Sequence, residues 1–264
     1  MDAKVTPNVN TTGSDLWKTA LQAKTSTQVK WTVIVLIIFI AIATFMYIYS
    51  KSTYTESHCN VINDVYSDMG KVQSINIEDA NFKGFLLRDY YIKTAYNCCA
   101  IGDFKNTFVD NCALKQVIRQ GVRVLDFQIF SVNDKPVIAV SSIPCDYNTL
   151  VGQEPQCYLI KESYNYVDFD SAMQIIASYA FSGGTCPNPN DPLILHFRIM
   201  SQNEKIYKSI TSTLQQKFTT QLLGKDYSYE NNGKSIAFEP ISNFLNKVII
   251  AVDKINPTFE GTEL

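Results

Sequence analysis

Histidine is scarce in this sequence: 264 residues contain two, His58 and His196. Acid–base chemistry that needs a pair of imidazoles has little to draw on. Charge is scarce as well, with 18% of residues Asp, Glu, Lys or Arg, and 23 basic against 25 acidic side chains leave a net charge of −2. Without a basic excess there is no electrostatic footprint for DNA or RNA, so nucleic acid is not an expected partner. A Gly-rich phosphate loop, a CxxC metal pattern and an internal repeat are all missing, and the nucleotide-binding and structural-zinc readings lack their signatures. Apolar residues are plentiful. A chain that is 46% hydrophobic and 12% aromatic is no disordered tail, and its length allows one or two domains.

The longest apolar run is Trp31 to Ser50, "WTVIVLIIFIAIATFMYIYS", which carries no charge. Twenty residues at about 1.5 Å each span roughly 30 Å, the thickness of a hydrocarbon core. Trp31 at one end and Tyr47 and Tyr49 at the other fit the aromatic belts of a bilayer. The run lies too far from the N-terminus for a cleavable signal peptide, and the alternative is a buried core helix. Lys18, Lys24 and Lys30 precede it, while only Lys51 closely follows before Glu56. The positive-inside rule then places the N-terminus in the cytosol and residues 51–264 across the membrane. All seven cysteines lie on that far side, as an oxidising compartment predicts. Cys145 and Cys157 are the first candidate disulfide, although connectivity is not readable from spacing and several free buried thiols are the alternative. The Asn10 sequon falls on the cytosolic side.

Four segments follow: a polar tail over 1–30, the membrane span 31–50, a connector over 51–85 and a folded domain over 86–264. In the tail, Ser14 is placed to cap a short helix, with a mobile tail as the alternative. The connector has helical pattern from Cys59 to Met69. In the domain, helical periodicity covers "FVDNCALKQVIRQ" up to Gly121, "FDSAMQIIASYAF" up to Gly183, and "NEKIYKSITSTLQQKFTTQLL" up to Gly224. Strands are expected at "VRVLDFQIF", at "KPVIAVSS" after a turn at Asn133-Asp134, at "DPLILHFRI" and at "NKVIIAVDK". Alternation of strands with helices predicts a parallel α/β sheet with its site at the strand C-terminal ends.

The ordered series "AYNCC", "QGVRVLDFQIF", "KPVIAVSS", "FDSAMQIIASYAF", "DPLILHFRI" and "NKVIIAVDK", over about residues 86–256, resembles the X region of phosphatidylinositol-specific phospholipase C. The likeness is strongest to membrane-anchored phospholipase-C-like proteins of large DNA viruses. It implies a TIM barrel, or a half-barrel given where the strands stop. It also implies a His-Asn pair after the first strand, paired acidic residues in the second and another His after the third, with Ca²⁺ held by Asn and carboxylates in eukaryotic members. On those positions this chain carries Tyr96 and Asn97, then Asp126 and Gln128, then Val140 followed by Ser141 and Ser142; Arg198 stands where an acidic ligand is expected. Both histidine positions are lost, so the resemblance implies a degenerate site rather than an enzyme. The residual metal ligands, Asn97 and Asp126, face a guanidinium, so no cofactor is implied and Ca²⁺ is not expected. The implied role is structural or binding: a virion membrane or minor capsid component, with the bilayer held through Trp31 to Ser50 and protein partners in the assembly.

An alternative keeps an enzyme. Period two puts His196 and Arg198 on one face of their strand, where with Asp126 they would serve a divergent lipid phosphodiesterase. The other use of His196 is a hydrogen-bonded strand-face imidazole. Cys98-Cys99 reads as a redox pair or as two cysteines that pack or bond separately. Ser141 and Ser142 lack both a nucleophile-elbow pattern and a base.

Overall fold

The computed structural model describes residues 27–76, 84–142, 161–228, 234–254 and 256–262. The Cys145–Cys157 pair, the Asn10 sequon and the helix after Ser14 lie outside the described residues. The chain divides into two units, Met1–Thr53 and Tyr54–Leu264. Helix α1, Thr27–Ser67, starts in the first and ends in the second. In the first unit all side chains from Lys30 to Ser50 are exposed, and Thr44 turns its hydroxyl back to the Ile40 carbonyl at 2.8 Å. By length and composition this helix is able to cross a membrane. It does not stop at Ser50. Neither Gly nor Pro occurs from Trp31 to Met69, so nothing breaks the helix before Gly70, and much of the expected connector is helical.

The second unit is built on a six-stranded sheet of order β4-β3-β2-β5-β6, with β1 also on β2. The strands are β1 Thr94–Ala95, β2 Val124–Val132, β3 Lys135–Ala139, β4 Val167–Asp168, β5 Leu193–Ile199 and β6 Val248–Val252. The sheet is mixed rather than parallel: β1, β2, β5 and β6 run together, whereas β3 is antiparallel to both β2 and β4. The physical cause is the two-residue turn expected at Asn133-Asp134. Both residues take left-handed φ, 52° and 60°, and such a turn can only reverse the chain into a hairpin. Among the described residues the sheet does not close: β4 and β6 are its ends, so it is an open sheet rather than the closed barrel that the resemblance implies.

Helices α2 Asn111–Arg119, α3 Phe169–Tyr179 and α4 Lys205–Lys217 supply one apolar layer. Leu114, Ile118, Met173, Ile176, Ile210 and Leu214 bury with the odd-numbered residues of β2 and β5. Asp110 caps α2 by accepting from the Cys112 N–H at 2.7 Å, so the helix begins after Phe108 and Val109 rather than with them. Beyond α2, Gly121 is required: its φ is 76° and an added Cβ would lie 2.5 Å from the Val72 carbonyl oxygen. The even-numbered residues of β5 alternate as half-buried positions on the other face, and His196 and Arg198 are among them.

Candidate functional site

The site grows from the edge of β2. One side of this strand pairs with β5 from Val124 to Ile129, and the other is shared, by β1 along its first two residues and by β3 from Gln128 onward. Asp126 falls in the interval between them. There the chain leaving β1 turns at Asn97, φ 48°, a left-handed position that Asn tolerates. The turn then fills the interval: Cys98 N–H donates to the Asp126 carbonyl at 3.0 Å, and Asn97 N–H to Asp126 Oδ2 at 3.0 Å.

Cross-strand register places Asp126 opposite His196 and Gln128 opposite Arg198. Arg198 grips Asp126 with two parallel bonds, Nε to Oδ1 at 2.9 Å and Nη2 to Oδ2 at 2.6 Å. Nη2 also donates to Asn97 Oδ1 at 2.7 Å and Nη1 to the Tyr96 hydroxyl at 2.9 Å. The guanidinium carbon lies 4.3 Å from the centre of the Tyr96 ring. His196 Nδ1 meets Asp126 Oδ1 at 2.7 Å; a carboxylate only accepts, so Nδ1 carries the proton and Nε2 is left for another partner. The Asp126 side chain is 6% exposed, Arg198 15% and His196 34%, so the imidazole is the member open to solvent. Burial alone would push the Asp126 carboxyl up. Hydrogen bonds from His196, Arg198 and the Asn97 N–H, with the charge of Arg198, outweigh burial and hold it below the ordinary carboxylate range.

The sequence-derived candidates therefore divide. Tyr96, Asn97, Asp126, His196 and Arg198 come together in one network. Gln128 does not join it: its Oε1 accepts from the Ser141 N–H at 2.7 Å and its Nε2 donates to the Ser141 carbonyl at 3.3 Å, so the amide holds the loop beyond β3. Val140, at the second lost histidine position, is buried in the helix-side core. Ser141 and Ser142 both donate their hydroxyls to Glu162, at 3.2 and 2.6 Å, and the Ser142 N–H adds 2.6 Å. The Ser142 hydroxyl and N–H keep the Glu162 carboxyl below its usual value. Sequence reading missed Glu162. No spacing marks it, because its partners lie twenty residues upstream.

Calcium favours six to eight oxygens, and the residues here do not fit it. The four acceptor positions of Asp126 are taken by His196, Arg198 twice and Asn97 N–H, while Asn97 Oδ1 takes another Arg198 proton. A cation in this place would meet a fixed guanidinium. Asn97 Nδ2, buried beside it, has no hydrogen-bond partner among the described residues.

Cys98 and Cys99 are buried side by side, and burial pushes both thiols up, Cys98 well above its ordinary value. Thiols kept protonated in this way do not suit redox exchange. The bridge in the described residues is Cys59–Cys112, joining the last third of α1 to the first turn of α2. Asp110 lies against both sulfurs, but sulfurs bonded to each other offer no thiolate to a metal.

No protein-family model and no curated protein matches this sequence. Among solved structures the chain is similar to two phospholipase C structures, the crystal structures of S. officinalis PLC21 and L. pealei PLC21, at 16% and 18% identity with a TM-score of 0.45 for each. The match covers 63% of this chain and 18% of each of those, so the chain spans less than a fifth of their length. Nothing about activity passes to this chain at that overlap.

Proposed function

We propose that this chain is a membrane-anchored, phospholipase-C-like protein that works by binding and assembly rather than by turnover. One observation carries the reading: the oxygens of Asn97 and Asp126 are satisfied by the guanidinium of Arg198, which leaves neither a metal position nor a free base among them. Trp31 to Ser50 is taken as the membrane span, with the N-terminus cytosolic and 51–264 lumenal or exterior. Within this reading the chain is a virion membrane or minor capsid component of a large DNA virus, tying the internal membrane to the shell. That setting is supported by the resemblance in the order of elements from "AYNCC" to "NKVIIAVDK".

The test is hydrolysis of phosphatidylinositol and lysophospholipid by the full chain reconstituted in vesicles, with and without Ca²⁺. No turnover is expected in either condition, with thermal unfolding unchanged by a chelator, and crosslinking in the native membrane should then return protein neighbours. Turnover lost in Asp126→Asn would overturn the reading.

A second reading is favoured by the 2.7 Å contact of Asp126 with His196. A carboxylate that fixes Nδ1–H turns the basic Nε2 outward, the orientation a general base needs, with Arg198 beside it to meet a phosphoryl oxygen. This divergent phosphodiesterase has the weaker support, because four hydrogen bonds from Arg198 are already committed inside the protein.

A further inference from the structure

The sheet ends differently on its two sides. The β4 end is two residues long and passes at once into α3, which is the usual protection of an edge. β6 is five residues, all apolar: Val248, Ile249, Ile250, Ala251 and Val252. In its parallel ladder with β5 the odd-numbered residues of this strand point inward: Leu193 N–H donates to the Lys247 carbonyl and Asp253 N–H to the Phe197 carbonyl, both at 2.9 Å. The N–H and C=O of Val248, Ile250 and Val252 therefore point away from the sheet. Those of Val248 are occupied, since its N–H donates to Gln221 at 2.7 Å and its carbonyl accepts from Leu223 at 3.0 Å. Those of Ile250 and Val252 have no backbone partner among the described residues. The open edge is bounded below by the Gln221–Leu223 segment and above by the turn that starts at Lys254.

We propose that a second copy of this chain completes the edge, its own β6 pairing antiparallel across a two-fold axis at Ala251. The register is forced. Setting Ile250 against Val252 of the second copy, and the reverse, places all four open N–H groups opposite open carbonyls, with the two Ala251 residues facing at the axis. A shift in one direction collides with Gln221–Leu223, and a shift in the other runs past the turn and leaves Ile250 unpaired. Seat and strand also match in length: where one copy turns away at Lys254, the other has its edge already occupied at Val248. Because the axis stands perpendicular to the sheet, the two site faces open on the same side of one continuous sheet. Ala251 lies opposite His196 in register, so the imidazoles of the two copies flank the axis.

The test uses the full chain in detergent micelles. Facing residues of this type have Cα atoms about 4.5 Å apart, within reach of a disulfide. Ala251→Cys should therefore give a covalent dimer under mild oxidation, with a 251–251 linked peptide identified by mass spectrometry. Ile250→Pro removes an outward N–H that the monomer does not use, which an edge strand tolerates. In the Ala251→Cys background it should cut the crosslink at least tenfold while circular dichroism stays native. Val252→Pro, which also removes an outward N–H, serves if the first variant unfolds. A wild-type chain that sediments as a monomer, together with an Ala251→Cys chain that yields no 251–251 peptide, overturns the proposal. So does a crosslink that a folded proline variant leaves unchanged, or one made in the native membrane to a different chain.

Discussion

Two arginines, Arg123 buried and Arg198 half-buried, sit near opposite ends of the same pair of strands and are treated in opposite ways. Arg198, at the end of β5, meets a carboxylate in a two-pronged grip. Arg123, just before β2, has no ion pair among the described residues: it donates to the carbonyls of Ala180, at 3.0 Å, and Asn188, and its Nε is unpartnered. Asp191 is near enough to be felt as charge, but its Oδ1 accepts from the Ile75 N–H at 3.1 Å instead. Burial lowers the Arg123 pKa and raises that of Asp191, whereas Asp126 is held down. The contrast separates two uses of a guanidinium. Arg123 ties the end of α3 and the following loop to the sheet through backbone oxygens. Arg198 neutralises a carboxylate and organises the side chains of a site.

The largest effect should come from Asp126→Leu, which leaves the half-buried Arg198 without its counter-charge at a cost of about 3 kcal/mol, the lower end for a broken buried pair, in urea unfolding of the full chain in detergent. Adding Arg198→Met to that variant should recover most of the loss, because replacing a whole buried pair by apolar groups is often close to neutral. Recovery of less than a third would mean the pair is not the coupled unit described. Arg123→Met should cost roughly 1.5–3 kcal/mol through its charge-assisted bonds to carbonyls. Combining it with Asp191→Asn should show coupling below about 0.5 kcal/mol, the value for groups without direct contact. A large coupling in the cycle would erase the contrast.

The two carboxylates should also give opposite pH slopes. Asp126, depressed in the fold, contributes stability above its unfolded value of about 4, and that contribution is lost as pH falls through the lower folded value. Asp191, raised in the fold, binds its proton more tightly when folded, so stability declines as pH rises from the unfolded value toward the folded one. Unfolding midpoints between pH 2 and 6 for Asp126→Asn and Asp191→Asn should each lose one of these slopes; loss of the same slope in both would contradict the assignment. The smallest change is expected from Tyr96→Phe, which removes one bond to Arg198 at an exposed ring and should cost about 0.5–1 kcal/mol.

Much of this is legible in the sequence. In "LILHFRI" the period of two sorts Leu193, Leu195, Phe197 and Ile199 to the core and leaves His196 and Arg198 on the site face, as observed. The turn at Asn133-Asp134 is legible in the sequence, but the antiparallel hairpin it makes is not, since the alternation of strands and helices points to a parallel sheet and only the left-handed φ of both residues reverses the chain. Long-range pairing was less legible. That β1 and β3 share one edge of β2, with the Asn97 turn between them, depends on contacts no local pattern encodes. Cys59 and Cys112 are 53 residues apart, and nothing in their spacing distinguishes them from other pairs. The polar residues after Ser50 read as the end of a helix, yet they mark a change of surroundings in a helix that runs on to Ser67.

The grip of Arg198 on Asp126 has a consequence for how the protein meets different solutions. A bound ion has a dissociation constant, and its occupancy follows the compartment; a guanidinium fixed to the chain has none and arrives with synthesis. Such a cluster is complete in a calcium-poor cytosol and unchanged in a calcium-rich lumen, and a chelator finds nothing in it to remove. Moving between those solutions resets neither its charge nor its shape.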